Sequence, residues 1–136
     1  MKAVQRFEVF ADYHQFYLMD AEAQPQIPES VLPADTARRL RCADHIVVFH
    51  TESASKVPVE VGFVDCAPTE AENWEQITDF SVSLPSGTAA LCGCTDYVPD
   101  CPRLTGTPGS YNGKAFFAGA TSLGGERYRV LLWPQT

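Results

Sequence analysis

The sequence predicts an all-β fold: a single-domain antiparallel β-sandwich, or a flattened barrel, of about seven to eight strands with one short helix near residues 34–41. Three observations lead there. Short runs of aromatic and β-branched residues recur along the chain, clusters of Gly, Pro, Ser and Asp separate them, and a single segment carries helix-start signals. At 136 residues the chain can bury about two-thirds of its unfolded surface. No internal repeat or compositional break divides it, so residues 1–136 read as one domain.

The first β segment runs from Phe7 to Met19, and its alternation slips at Ala11-Asp12. A bulge or bend there lets Phe7 and Val9 face one way while Phe16 and Leu18 continue in another register. Three prolines make 21–33 a loop, and Pro33 or Asp35 then opens a helix through Arg41. In that helix Ala37 and Leu40 are expected to be buried, with Arg38, Arg39 and Arg41 in solvent. Asp44–His50 and Pro58–Asp65 read as strands, and Glu70–Gln76 as a linker with room for one helical turn around Trp74.

Phe80, Val82 and Leu84 alternate with serines, Pro85-Ser86-Gly87 supplies a turn, and Ala89, Leu91 and Gly93 alternate on the return. This pattern predicts a β-hairpin. A polar tip follows, Thr95-Asp96-Tyr97-Val98-Pro99-Asp100, and then strands at Tyr111–Ala118 and Glu126–Trp133 joined by a glycine-rich turn at 119–125. The expected core is Phe7, Val9, Phe16, Leu18, Val47, Phe49, Val59, Val61, Phe80, Val82, Leu84, Leu91, Val130 and Leu132.

Composition narrows the function classes. A formal net charge of −7 disfavours direct binding to nucleic acid or to an anionic membrane, both of which need a basic surface, and favours a basic partner. The opening residues lack the apolar core and cleavage site of an export signal, and no run reaches the length of a membrane span, so a cytoplasmic location is expected. Five cysteines in such a chain are expected to be reduced. Cys92 and Cys94 share one face of a strand, and with Cys101 and one of His14, His45 or His50 they contain the donors for a zinc site. The paired hooks of zinc motifs are missing, so neither a metal nor any other cofactor is expected. A Cys92–Cys94 disulfide is disfavoured by i,i+2 strand geometry.

The segments Phe10-Ala11-Asp12-Tyr13-His14-Gln15-Phe16-Tyr17-Leu18, Leu84-Pro85-Ser86-Gly87, Gly93-Cys94-Thr95-Asp96-Tyr97-Val98-Pro99-Asp100 and Tyr128–Pro134 resemble a family of small bacterial proteins, mostly without assigned function. The chain departs from that pattern at His14 and Val98, where an aromatic residue is usual. Tyr13-His14-Gln15-Phe16 with Leu84-Pro85-Ser86-Gly87 is also similar to the competence-associated inhibitor of a DNA-entry nuclease. The resemblance implies an immunity-like or inhibitor role, non-enzymatic, with a basic protein such as a nuclease or toxin as partner.

The residues that fit such a role are Asp12, Tyr13, His14, Asp96, Tyr97 and Asp100. The acids would face a basic cleft and the tyrosines would serve as anchors of the kind enriched at interface hot spots. Loop aspartates equally form Asx turns. Two other arrangements compete with the interface. One is a small-molecule pocket between the sheets lined by Tyr13, Tyr17, Tyr97 and Trp133. The other is an enzyme built on Cys94, His14 and Asp96, or on Asp96 with Asp100 as paired carboxylates, and neither has a sequence signature. His45 and His50 flank an apolar strand and read as hydrogen-bonded structural residues.

Overall fold

A computed structural model describes residues 4–69 and 74–135. In chain order the strands are β1 (Gln5–Phe10), β2 (Gln15–Asp20), β3 (Leu40–Ala43), β4 (Ile46–His50), β5 (Lys56–Phe63), β6 (Gln76–Leu84), β7 (Thr88–Gly93), β8 (Arg103–Thr105), β9 (Gly109–Ala118) and β10 (Arg127–Pro134), with one α-helix, α1 (Pro33–Arg38). They form two five-stranded sheets, ordered β1-β5-β10-β9-β6 and β3-β4-β2-β7-β8. The architecture is an open β-sandwich, not a closed barrel. Pairing is antiparallel except that β10 runs parallel to β5.

Every core residue expected from alternation except Phe7 is buried between the sheets, and Phe7 is half-buried against the cluster. The centre is aromatic: Phe16 stacks on Phe49 at 5.0 Å between ring centroids, and Tyr128 meets Phe16 and Phe117 edge-on. Such offset and edge-on contacts add to the benefit of burial. These side chains fill the space between the sheets. A second buried cluster lies on the outer face of the β3–β8 sheet, where Tyr17, Met19, Ile46, Val48, Ala90, Cys92 and Cys101 meet.

Several expectations change. The slip at Ala11-Asp12 is not a bulge within one strand but a 3-10 turn (Asp12–His14) that carries the chain from one sheet to the other. The expected hairpin does not pair with itself, because β6 bonds β9 over nine residue pairs while β7 lies between β2 and β8 in the opposite sheet. Its turn is real, with Gly87 at φ +78° and its N–H on Leu84 O, but it bridges the sandwich.

The helix is shorter than expected. It ends at Arg38, Arg39 takes the left-handed conformation that closes it, and Leu40 begins β3. Ala37 is therefore exposed, and Arg41, expected in solvent, is 7% exposed. β8 is a strand the sequence did not announce. Residues 70–73 of the expected linker lie outside the described residues; Trp74 is in no helix and packs on Phe116 at 5.5 Å. Among the described residues no helix is long and apolar enough to cross a membrane.

Candidate functional site

The turn between β1 and β2 is built against conformational preference. Tyr13 (φ 57°, ψ 26°) and His14 (φ 61°) are consecutive non-glycine residues in the left-handed region. Side chains at such positions crowd their own backbone, at a cost of about 1–3 kcal/mol each. The surroundings hold the turn in place. Ala11 N–H donates to Ser55 O (2.9 Å), His14 N–H to Ala11 O (3.0 Å) and Thr51 N–H to His14 O (2.9 Å), while His14 Nδ1 meets Glu52 O at 3.2 Å. Asp12 Oδ1 accepts the Tyr13 N–H at 3.1 Å, an Asx contact. The phenol of Tyr13 is left 71% exposed.

The 51–55 loop that holds this turn is itself anchored on Tyr128 and Glu126. Tyr128 OH donates to Glu126 Oε2 (2.5 Å) and accepts Glu52 N–H (2.9 Å), and Glu126 also accepts the N–H and hydroxyl of Ser53 (3.0 and 2.6 Å). Burial alone would push the Glu126 carboxyl up, but these donors to its ionised form bring it below the usual carboxylate range.

The second half of the site arrives through β7, which pairs with β2 so that Gly93 lies opposite Phe16. Gly93 is required there because a Cβ would sit 2.2 Å from Phe10 O. Beyond it, Asp96 Oδ2 accepts the Gly93 N–H (2.8 Å) and Asp96 N–H returns to Gly93 O (3.2 Å). Asp96 thus pins the turn while its side chain remains exposed, and Tyr97 stands out at 71% exposure. A 3-10 turn (Val98–Asp100) follows, with Arg103 Nη1 donating to Cys101 O at 2.7 Å and Val98 packed on the outer cluster.

The Asp12–His14 and Asp96–Tyr97 turns therefore leave the sandwich at the same rim, with Asp100 one short turn further along. Asp12 is half-buried and the other five nominated residues are exposed. Sequence reasoning missed Phe10, which is 42% exposed at the end of β1. Its outward phase was legible from the alternation Phe7-Val9, but its place beside Gly93 depends on the sheet switch.

The competing arrangements are not assembled. His14 is engaged with Glu52 O, Asp96 with Gly93 N–H, and Cys94 Sγ accepts from Tyr17 OH (3.1 Å) and Gln15 Nε2 (3.2 Å), so Cys94, His14 and Asp96 form no nucleophile–base pair. Tyr13 and Tyr97 lie on the rim, Tyr17 on the outer face of one sheet, and Trp133 lines a trough on the outer face of the other, so no inter-sheet pocket joins them. Cys92 packs with Cys101, as the return of the chain suggested, yet no three His, Cys, Asp or Glu side chains among the described residues converge as metal ligands.

A polar relay runs beneath the rim across the outer face of the β3–β8 sheet. Arg41 donates from Nε to Pro28 O (2.7 Å), from Nη2 to Gln15 Oε1 (3.0 Å) and from Nη1 to His50 Nε2 (2.9 Å), and Gln15 continues to Cys94. Arginine only donates, so His50 accepts at Nε2 and is neutral. Burial and the adjacent Arg41 charge hold His50 below the usual imidazole range. Burial, reinforced by the bond to Cys94, raises the Tyr17 phenol.

No family model matches the chain, and no curated protein sequence matches it. Two solved structures share its fold. One is ComJ, an inhibitor of the DNA-degrading activity of NucA, from Bacillus subtilis: TM-score 0.81, 12% identity, covering 99% of each chain. The other is described as crocagin biosynthetic gene J: TM-score 0.75, 20% identity, covering 100% of this chain and 99% of that one. The similarity to the nuclease inhibitor suggested by two short motifs thus extends over the whole fold.

Proposed function

We propose that this chain is a non-enzymatic, inhibitor-like protein-binding module that occupies a basic protein, a nuclease in the first instance, through the rim formed by Asp12, Tyr13, His14, Asp96, Tyr97 and Asp100. The observation that carries this reading is the exposure of Tyr13 on a turn of two left-handed residues, over-determined by the 51–55 loop. Strain persists where the surroundings enforce it, and it clusters at ligand-binding sites. A rigid, pre-oriented aromatic binds with little ordering cost, and tyrosines are enriched among hot spots. Tyr97 supplies a second such anchor, and the neighbouring acids complement a cleft that must itself attract phosphates. ComJ, which has this fold, inhibits a nuclease.

The test is capture on the immobilised chain followed by DNA-degradation assays of each captured protein. A nuclease should be captured, and its activity should fall as the chain is added in stoichiometric amounts. Replacing Tyr13 and Tyr97 together with alanine should cost about 2 kcal/mol or more per anchor in binding and restore DNA degradation. Capture of the same proteins by the double-alanine variant, or no nuclease silenced by the wild type, overturns the reading.

A further inference from the structure

The free edge of β1 has a self-complementary pattern. β1 is the end strand of its sheet and bonds β5 on one side only. The ladder continues with Ala11 N–H to Ser55 O, which sets its phase: odd-numbered residues turn their backbone groups toward β5, and even-numbered ones turn theirs to the open edge. Phe10 O also points away from β5 but lies against Gly93, so the end of β7 closes the edge there and the open stretch ends at Glu8. The even-numbered side chains all stand on the outer face, where Val4 and Phe10 are 43% and 42% exposed and Arg6 and Glu8 are exposed between them. Among the described residues neither Arg6 nor Glu8 makes an ion pair.

We propose that a second copy of this chain pairs on that edge, β1 antiparallel to β1 about a two-fold axis at Phe7. The phase allows registers centred on Arg6, Phe7 or Glu8. Centring on Arg6 sets two arginines opposite each other, and centring on Glu8 sets two glutamates. Only the Phe7-centred register opposes unlike charges, Arg6 to Glu8 of the second copy and Glu8 to its Arg6. Both are then in the hydrogen-bonded type of pair, with their N–H and C=O groups exchanged across the edge. Natural edges are usually blunted with charge to prevent such pairing; here the charges alternate in sign so that the strand complements itself. The contact is isologous and closed. It does not depend on what the rim binds.

Sedimentation equilibrium over a concentration series at low salt tests the pairing. The wild type should show a reversible monomer–dimer equilibrium that weakens with added salt. Arg6→Glu and Glu8→Arg each oppose like charges twice across the axis and should weaken the dimer at least about tenfold. The double variant Arg6→Glu/Glu8→Arg restores unlike pairs in the same register and should recover the wild-type equilibrium. Melting curves establish that all three variants are folded, since both positions are exposed. A wild type that stays monomeric at every concentration overturns the proposal. So does a single reversal that dimerises like the wild type, or a double variant that fails to recover.

Discussion

The buried carboxylate of Asp20 accepts both the backbone N–H (2.8 Å) and the hydroxyl (3.0 Å) of Ser86, 66 residues along the chain. Its other oxygen takes the N–H groups of Glu22 and Ala23, each at 2.9 Å. One side chain thus joins the end of β2 to the turn where β6 crosses to β7. Burial opposes the charge, but the Ser86, Glu22 and Ala23 donors outweigh it and hold the carboxyl below its usual range.

Asp20→Asn should therefore destabilise the fold by about 2–3 kcal/mol, because a charge-assisted acceptor of several N–H groups becomes a neutral amide that also donates. The folded-state value is depressed, so the contribution of Asp20 is present above the unfolded carboxyl value of about 3.9 and lost as pH falls through the folded one. Urea unfolding of wild type and variant at neutral pH and near pH 3 should show the gap between them closing in acid. A constant gap would mean that packing, not charge, is what the variant loses.

His50 titrates in a different window. Its folded value is lowered, so in mildly acid solution the unfolded chain takes up the proton first and stability rises with pH. The contribution is present above about pH 6.5 and is lost as pH falls through the folded value, where protonation at Nε2 would face the Arg41 guanidinium. His50→Gln, which offers Arg41 an amide oxygen, should remove this part of the pH dependence in denaturant titrations between pH 7.5 and 5.5.

Asp96 and Asp100 should separate under mutation. Asp96→Ala leaves the Gly93 N–H without its carboxylate and should cost about 1 kcal/mol, a fall of about 3–5 °C in melting temperature for a domain of this size. Asp100→Asn should leave melting unchanged and act only on association, mainly through slower encounter at low salt. Equal melting points for the two variants would remove the structural role from Asp96.

The thiols provide a check on burial. Cys42 and Cys66 are exposed, Cys94 is half-buried, and Cys92 and Cys101 are buried. A native titration with an aromatic disulfide should find Cys66 quickly, Cys94 and Cys42, whose thiol burial pushes up, more slowly, and Cys92 with Cys101 only on unfolding, where all five should react. Burial also pushes both buried thiols up, away from the reactive thiolate. Early reaction at Cys101 would show that the 94–101 loop opens readily.

Local pattern was enough to determine the sandwich class, the inward faces of the strands, the turn at Pro85-Ser86-Gly87 and the polar loop that carries Asp96 and Tyr97. Side-chain alternation has a period of two and needs only neighbouring residues to be read. Which strand lies beside which was decided by the tertiary structure. Phe80–Leu84 and Ala89–Gly93 have every local mark of a hairpin, yet β6 and β7 each find other partners, and Asp20 joins their turn to the end of β2. Arg41 looked like a solvent-facing helix residue until Arg39 ended the helix and β3 turned it toward His50 and Gln15. The rim itself has the same origin: Asp12–His14 and Asp96–Tyr97 are more than eighty positions apart, and they meet because β2 and β7 pair, a non-local contact that no periodicity encodes.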